Sequence, residues 1–242
     1  MFNGFSQDAL DFLLGIRINN NKEWFEAHKK IYTEKVQAPL KELCEEIAEP
    51  YNGEGMMHKA CRIYRDAGFP PYLHYRDAMW FVIRHEALYW NRTPCLYFEI
   101  SPEGAEFGFG IPKPEASVME RFRAQLAEDP AKFRAIAESV RNAGITISGE
   151  QYKRKKPCPV AEAEEYWQFR SMTAAVKVTD TEELFSRRLA EHTAEVFNAV
   201  QPLYDLFREL VEINTLAKAI EKEAVLVPEK ETVKAPDAEF MW

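Results

Sequence analysis

The spacing of apolar residues predicts helices in the first part of the chain. The first helix follows Ser6, and its apolar stripe consists of Leu10, Leu13 and Leu14. Phe12 lies off that stripe. A second helix is predicted to begin after Asn21, a favoured capping residue, and helical spacing resumes from Val36 to Ile47. Because Pro39 lacks a backbone N–H group, we expect a kink or break just before it.

From Met56 onward the pattern changes to that of β-strands. Four runs are rich in aromatic and β-branched residues, at 58–64, 78–89, 95–100 and 106–111. Short connections join these runs, which predicts an antiparallel sheet. Gly108 and Gly110 alternate with apolar residues in the last run, so one face of that strand should accept a packed aromatic ring, a backbone or a ligand.

The remaining pattern is again mainly helical. Helices are predicted at 115–127 and 130–142, and a long helix after Asp180 should be interrupted by Pro202. Short strands are expected near 145–152 and 173–178. The chain is therefore predicted to be α+β, with a mainly antiparallel sheet packed against helices from both ends. We expect one domain over residues 1–220 and a charged, proline-containing tail over 221–242.

Composition and charge narrow the class of function. The net charge is -8, with a pI near 5.3, which disfavours the broad basic surface that nucleic-acid binding requires. The four cysteines form no CxxC pair, so we expect reduced thiols and a cytoplasmic protein. The N-terminus lacks the basic region of a signal peptide, and no apolar run is long enough to span a membrane. No GxGxxG, P-loop or GxSxG motif is present, which weakens nucleotide-binding and serine-hydrolase interpretations.

The strongest candidate site is the stretch CRIYRDAGFPPYLHYRD at residues 61–77. It contains Arg62, Arg65 and Arg76. These arginines, with Tyr64, could bind a phosphate or carboxylate, and Asp66 could orient a guanidinium or act as a general base. The alternative is structural, in which Arg65–Asp66 or Arg76–Asp77 ion pairs fix an irregular loop against the sheet.

A second basic stretch, at residues 153–156, contributes Lys153 and Arg154 as further candidate ligand contacts. The alternative is a solvated basic loop. The five histidines match no compact metal-binding spacing, so we expect neither a metal nor another cofactor.

Several of these stretches resemble a bacterial family, the domain of unknown function family 2461. The resemblance is carried by RxxRD at Arg62, Arg65 and Asp66 with Phe69, by NNNKEWF at 19–25, by the stretch 97–114, by Arg121 or Arg123 with Phe133, and by YKRKKP at 152–157. It covers nearly the whole chain to about Leu210. Gly68 stands where the family motif has an arginine, and the second half of the motif also departs from this sequence.

The resemblance implies a fold and the location of a site, but no reaction. Three hypotheses remain open. The first is a protein that binds a small anionic ligand, and the second is a hydrolase or transferase acting on a phosphate-bearing substrate with Asp66 as base. The third is a protein-interaction module, in which the acidic surface and a tail containing Phe240 and Trp242 bind a partner.

Overall fold

A six-stranded antiparallel sheet lies at the centre of the fold. The computed structural model describes residues 1–53, 55–65, 73–86 and 90–226. The strands are β1 Met56–Ala60, β2 Met79–His85, β3 Cys95–Ser101, β4 Gly104–Ile111, β5 Thr146–Ser148 and β6 Met172–Val178. Their spatial order is β1-β2-β3-β4-β6-β5, and each neighbouring pair is antiparallel. The predicted α+β class is confirmed.

Helices come from both ends of the chain, as predicted. They are α1 Gln7–Ile18, α2 Lys22–Ile31, α3 Ala38–Ala48, α4 Ala116–Glu128, α5 Pro130–Asn142, α6 Glu164–Trp167, α7 Thr181–Leu184 and α8 Arg188–Leu226. Asn21 caps α2, since its side-chain oxygen accepts a hydrogen bond from the Trp24 N–H at 2.9 Å. A π-helical turn, Tyr32–Gln37, separates α2 from α3, which is the break expected before Pro39.

One face of the sheet forms the core. Phe81, Phe98 and Phe107 lie directly opposite one another on β2, β3 and β4, and adjacent rings stack with centroids 5.4 and 5.7 Å apart. Helix α3 packs on β1 and β2, and α8 packs on β3, β4 and β6. Phe109 contacts Phe207 of α8 at 5.7 Å between ring centroids. Burial of this continuous aromatic layer is the main stabilising term for the sheet.

The opposite face of the sheet is more polar. Alternation along the strands places Trp80, Tyr97, Glu99 and Glu106 there, all of them half-buried. Tyr97 lies opposite Gly108, and a Cβ atom built on Gly110 would stand 3.4 Å from the Tyr97 ring. Gly110 therefore makes room for an aromatic ring and Gly108 for the backbone of β6, which are two of the three possibilities expected for this strand.

Two details of the helices differ from prediction. In α1, Phe12 is 3% exposed and Leu14 is 46% exposed, so the predicted apolar stripe was wrong at these positions. Helix α8 continues through Pro202 rather than being interrupted. Because Pro202 has no N–H group, the Asn198 carbonyl loses its helical hydrogen bond. Both residues have exposed side chains, so water can bind that carbonyl instead.

The bounds of two strands also differ from prediction. Strand β1 ends at Ala60 rather than at residue 64, and β2 ends at His85. Residues 87–89 of the predicted long strand lie outside the described part of the chain, as do Phe240 and Trp242 of the predicted tail. None of the helices within the described ranges has both the length and the apolar character of a membrane span.

Candidate functional site

The predicted arginine stretch folds into a short antiparallel ladder between β1 and β2. We call residues 61–65 and 73–77 the arginine segment. Tyr64 pairs with Tyr75, and the Arg65 N–H donates to the His74 carbonyl at 3.0 Å. The ladder holds Arg62, Tyr64, Arg65 and Arg76 within one compact piece of backbone. Asp66 and Phe69, which complete the sequence motif, lie outside the described residues.

Residues from the N-terminal helices fix the arginine segment in place. The side-chain amide of Asn20 makes two hydrogen bonds to the Tyr75 backbone, one to its carbonyl and one from its N–H, each at 2.9 Å. Phe25 of α2 stacks on the Tyr75 ring at 4.4 Å and meets the Tyr64 ring edge-on at 5.8 Å. The stretch NNNKEWF and the arginine motif, which are far apart in sequence, therefore form one structural unit.

Arg65 belongs to an ion-pair network that also includes α1. Its Nη2 lies 3.0 Å from Asp77 Oδ1, and its Nε donates to the Tyr75 carbonyl at 2.8 Å. Asp77 also accepts from Arg17 Nε at 2.6 Å, and both Nη atoms of Arg17 bind the Glu103 carboxylate. The Arg17 guanidinium lowers the pKa of Glu103 to about 2. The structure thus supports a structural role for Arg65, with Asp77 as its partner.

Arg76 contacts the polar face of the sheet. Its guanidinium carbon lies 4.5 Å from the centroid of the Trp80 ring, which is within cation–π range. Trp80 lies opposite Glu99 in the strand register, and Glu99 lies opposite Glu106. Lys177 of β6 extends this row, with its Nζ 3.2 Å from Glu106 Oε2. A row of charged and aromatic side chains therefore crosses four strands beside Arg76.

Glu99 is the carboxyl group in this row whose pKa is raised, which is the direction that general acid–base catalysis could use. Burial raises the pKa of Glu99, and the negative charges of Glu106 and Asp77 raise it further. Tyr97 donates a hydrogen bond to Glu106 Oε1 at 2.7 Å, and burial together with this bond raises the pKa of the phenol. A partly buried carboxyl group with a raised pKa can hold and release a proton closer to neutral pH than an exposed one can.

Sequence reasoning did not single out Glu99, Glu106 or Arg17. A signal for the glutamates was present, because the SPEG turn at 101–104 sets the hairpin register that places Glu99 opposite Glu106. No comparable signal existed for Arg17, whose partners Asp77 and Glu103 lie 60 and 86 positions further along the chain.

Cys61, at the start of the arginine segment, has the properties of a core residue. Its sulfur accepts a hydrogen bond from the Trp80 N–H at 3.2 Å. Burial raises the pKa of the thiol to about 11, so the thiol form dominates at neutral pH. This environment does not activate a nucleophile.

Lys153 and Arg154 lie apart from the arginine segment in the fold. Both side chains are exposed, in the connection that follows β5. Strand β5 is at one edge of the sheet, and β3, β4 and β6 separate it from β2, which follows the arginine segment. Within the described ranges, no hydrogen bond or ion pair joins either side chain to that segment, and no three His, Cys, Asp or Glu residues form a metal-binding group.

These features define a class of α+β protein in which an antiparallel sheet carries helices on its aromatic face and an arginine segment beside its polar face. The chain belongs to the family described as "Conserved hypothetical protein (DUF2461)", whose model matches residues 8–206. The resemblance noted from the sequence is thereby confirmed at the level of the family. A search of curated proteins found no match.

Proposed function

We propose that this protein binds a small anionic ligand, carrying a phosphate or carboxylate group, at the arginine segment. The observation that supports the proposal best is the position of the Arg76 guanidinium carbon over the Trp80 ring, 4.5 Å from its centroid. An arginine can contact an aromatic ring in this way and also bind an oxygen anion through its N–H groups. Arg62 and Tyr64, both exposed, lie on the same ladder and supply further donors.

The local charge balance is compatible with an anion even though the whole chain is acidic. Among the described carboxylates near the arginine segment, Asp77 and Glu103 are paired with Arg17 and Arg65. Each of these two carboxylates is therefore offset by a guanidinium and repels an incoming anion less than an unpaired carboxylate would. Arg65, held by Asp77 and the Tyr75 carbonyl, serves as a rigid support for the ligand contacts.

The test is to titrate inorganic phosphate, sulfate and succinate into the protein. Binding is measured by calorimetry and by the shift of the thermal unfolding temperature. In an Arg62→Ala/Arg76→Ala double variant we expect the affinity for the preferred anion to fall by about tenfold or more, since hydrogen bonds to charged groups contribute roughly 1.5–3 kcal/mol each. The matched control is Arg188→Ala/Arg208→Ala, which removes the same charge from α8 and should retain the affinity. Equal affinities in the two double variants would refute the proposal.

The second candidate is a hydrolase or transferase that acts on a phosphate-bearing substrate. The specific observation in its favour is the raised pKa of Glu99, which lies opposite Trp80 in the strand register. Asp66 remains the general base proposed from the sequence. A panel of phosphoesters should reveal turnover that Glu99→Gln or Asp66→Asn abolishes without loss of folding. If the intact chain binds phosphate but turns over no phosphoester, the enzyme hypothesis fails and the binding hypothesis stands.

A further inference from the structure

Arg123 of α4 is a buried cation whose two terminal Nη atoms have no hydrogen-bond acceptor among the described residues. Its side chain is only 5% exposed. Both Nη atoms are buried, and neither finds an acceptor among the described residues. A buried charge without a hydrogen-bonded partner costs several kcal/mol, so native proteins rarely retain one without a compensating group.

The immediate neighbours of Arg123 are aromatic and cationic rather than acidic. The guanidinium carbon lies 5.4 Å from the centroid of the Tyr152 ring, and Lys156 Nζ lies 4.6 Å from the same centroid. A cation–π contact to one ring offsets only part of the cost of burying a charge. The two cations gathered around one ring also repel each other.

The loop that carries Tyr152 and Lys156 is rigidly held. Gln168 binds both of its ends: its carbonyl accepts from the Tyr152 N–H at 3.1 Å, and its side-chain oxygen accepts from the Lys156 N–H at 2.9 Å. The Gln168 amide also donates to the Lys156 carbonyl at 2.9 Å. These bonds hold in place the loop whose Tyr152 ring contacts both cations.

Four acidic side chains on the neighbouring segments are bound to other partners. The pairs are Glu150–Arg170, Glu162–Arg134, Glu165–Arg141 and Glu164–Gln168. Within the described part of the chain, neither Arg123 nor Lys156 has a carboxylate partner. The described residues therefore do not supply the negative charge that would offset these two cations.

We infer that Arg123 and Lys156 form a second anion site, under the Tyr152 loop, that takes a phosphate group. A water molecule could accept hydrogen bonds from the guanidinium but would offset neither positive charge. A phosphate dianion offers several oxygen acceptors to the guanidinium and the ammonium together and removes their mutual repulsion. Lys156 is half-buried and flexible, so its displacement from the ring gives the anion access to Arg123.

The rest of the loop supports a phosphate rather than a neutral ligand. Lys153, Arg154 and Lys155 lie between Tyr152 and Lys156 in the same loop, are exposed, and add positive charge to it. Clustered cations raise the local concentration of an anion and its rate of association, even on an acidic protein. Lys153 and Arg154 thus keep a role in anion recognition, at this site rather than beside the arginine segment.

The first test is Arg123→Met in the full-length chain, which replaces the buried cation with an apolar side chain of similar length. If the site is an anion site, the variant should melt at the same temperature as the parent or higher in phosphate-free buffer, because an uncompensated charge is removed. Inorganic phosphate should then stabilise an Arg62→Ala/Arg76→Ala protein, but not the same protein that also carries Arg123→Met. A variant that melts lower than the parent and responds equally to phosphate would show that Arg123 is structural, and would overturn the inference.

A second pair of variants keeps the inference testable if Arg123→Met does not fold. Lys156→Gln and Lys155→Gln remove the same charge from adjacent positions, but Lys156 alone contacts the Tyr152 ring. Phosphate affinity should fall about tenfold or more in Lys156→Gln, the equivalent of roughly 1.4 kcal/mol, and less than threefold in Lys155→Gln. Equal losses would mean that only the general charge of the loop matters, and would refute a defined site.

The same titrations with glycerol phosphate distinguish the source of the phosphate group. Tighter binding of the monoester than of inorganic phosphate identifies a phosphorylated small molecule as the ligand, whereas exclusion of the monoester identifies the free ion. Either assignment holds only if Lys156→Gln lowers the affinity for the species that binds. The Arg62→Ala/Arg76→Ala substitutions leave this second site intact. Phosphate binding at Arg123 and Lys156 can therefore be measured even if the arginine segment binds no anion.

Discussion

At the scale of single residues, Asn20 shows how a side chain can fix a distant backbone segment. Its amide satisfies both the N–H and the carbonyl of Tyr75, and that carbonyl also accepts from Arg65. The geometry of the arginine segment therefore depends on a residue 55 positions away in the sequence.

We predict that Asn20→Ala destabilises the protein by about 1–3 kcal/mol, because two partly buried backbone groups lose their partner. Urea unfolding followed by circular dichroism measures this change. Asn19→Ala is the matched control, since the Asn19 side chain is exposed and bonds only to the Gly15 carbonyl. The Asn19 variant should differ from the parent by less than about 0.5 kcal/mol. Equal effects of the two substitutions would contradict the anchoring role of Asn20.

Glu99 should make the stability of the protein depend on pH in a defined direction. The pKa of Glu99 is raised above its ordinary value of 4.5, so the folded protein binds this proton more tightly than the unfolded chain. Stability contributed by the group is therefore complete below that ordinary value and is lost as the pH rises through the folded-state pKa.

Replacement by Gln removes this titration. We expect Glu99→Gln to melt higher than the parent at neutral pH, with the difference shrinking to zero as the pH falls below 4.5. Glu106→Gln is the control, because it breaks the contacts to Tyr97 and Lys177 and should not stabilise the protein. A melting-temperature difference for Glu99→Gln that is constant across this pH range would contradict a raised pKa.

Residue-level prediction from sequence succeeded where chemistry is local and failed where partners are distant. The RxxRD spacing singled out residues that the fold brings together in the arginine segment. It could not show that Asp77 pairs with Arg65, or that Arg17 joins the same network, because the fold determines those pairs. The burial of Phe12 was likewise missed, because the predicted apolar stripe of α1 consisted of Leu10, Leu13 and Leu14.

At the scale of elements, β4 combines a tight backbone approach with an aromatic contact. Gly108 has φ +154°, and a Cβ atom added there would stand 2.1 Å from the Ala174 carbonyl oxygen of β6. The neighbouring strand must therefore move if any side chain is introduced at this position. Glycine at residue 108 is required by the pairing of β4 with β6.

We expect Gly108→Ala to destabilise the protein by about 3 kcal/mol or more, since it combines a backbone clash with an unfavourable φ. Gly53→Ala is the control, because the added Cβ would have no neighbour within 4 Å. That variant should match the parent to within about 0.5 kcal/mol. Guanidinium unfolding curves compare the two, and a Gly108 variant as stable as the Gly53 variant would contradict the strand geometry described.

Elements were predicted well where periodicity and turns are strong. Residues 130–142 form α5 with the predicted bounds, and Asp129 caps it by accepting from the Lys132 N–H at 3.1 Å. The predicted interruption of α8 at Pro202 was wrong. Pro202 lies on the exposed side of the helix, where water removes most of the cost of the missing hydrogen bond. Tertiary context of this kind is not visible in local sequence.

At the scale of the whole molecule, the first residues connect helices that are far apart in the sequence. The Phe2 side chain is fully buried, its N–H donates to Glu46 of α3 at 3.0 Å, and its carbonyl accepts from Arg187 at 3.1 Å. Arg187 also pairs with Glu46 at 2.6 Å. The first residues, α3 and the segment between α7 and α8 are therefore joined at one point.

Phe2→Ala should destabilise the whole protein by about 3–5 kcal/mol, the usual cost of truncating a buried phenylalanine. If the fold is one cooperative unit, circular dichroism and tryptophan fluorescence should report the same transition in the variant. Ile18→Ala is the control, because Ile18 is largely exposed and should tolerate truncation. A variant in which only the N-terminal helices unfold would contradict this coupling.

We propose that this family member binds phosphate-type anions, at the arginine segment and at the Arg123–Lys156 site. The most direct test is calorimetric titration of inorganic phosphate into the dialysed full-length chain, into Arg62→Ala/Arg76→Ala and into Lys156→Gln. We predict saturable binding to the parent and the loss of one binding event in each variant. Heats that never saturate, or identical isotherms for all three proteins, would contradict the claim.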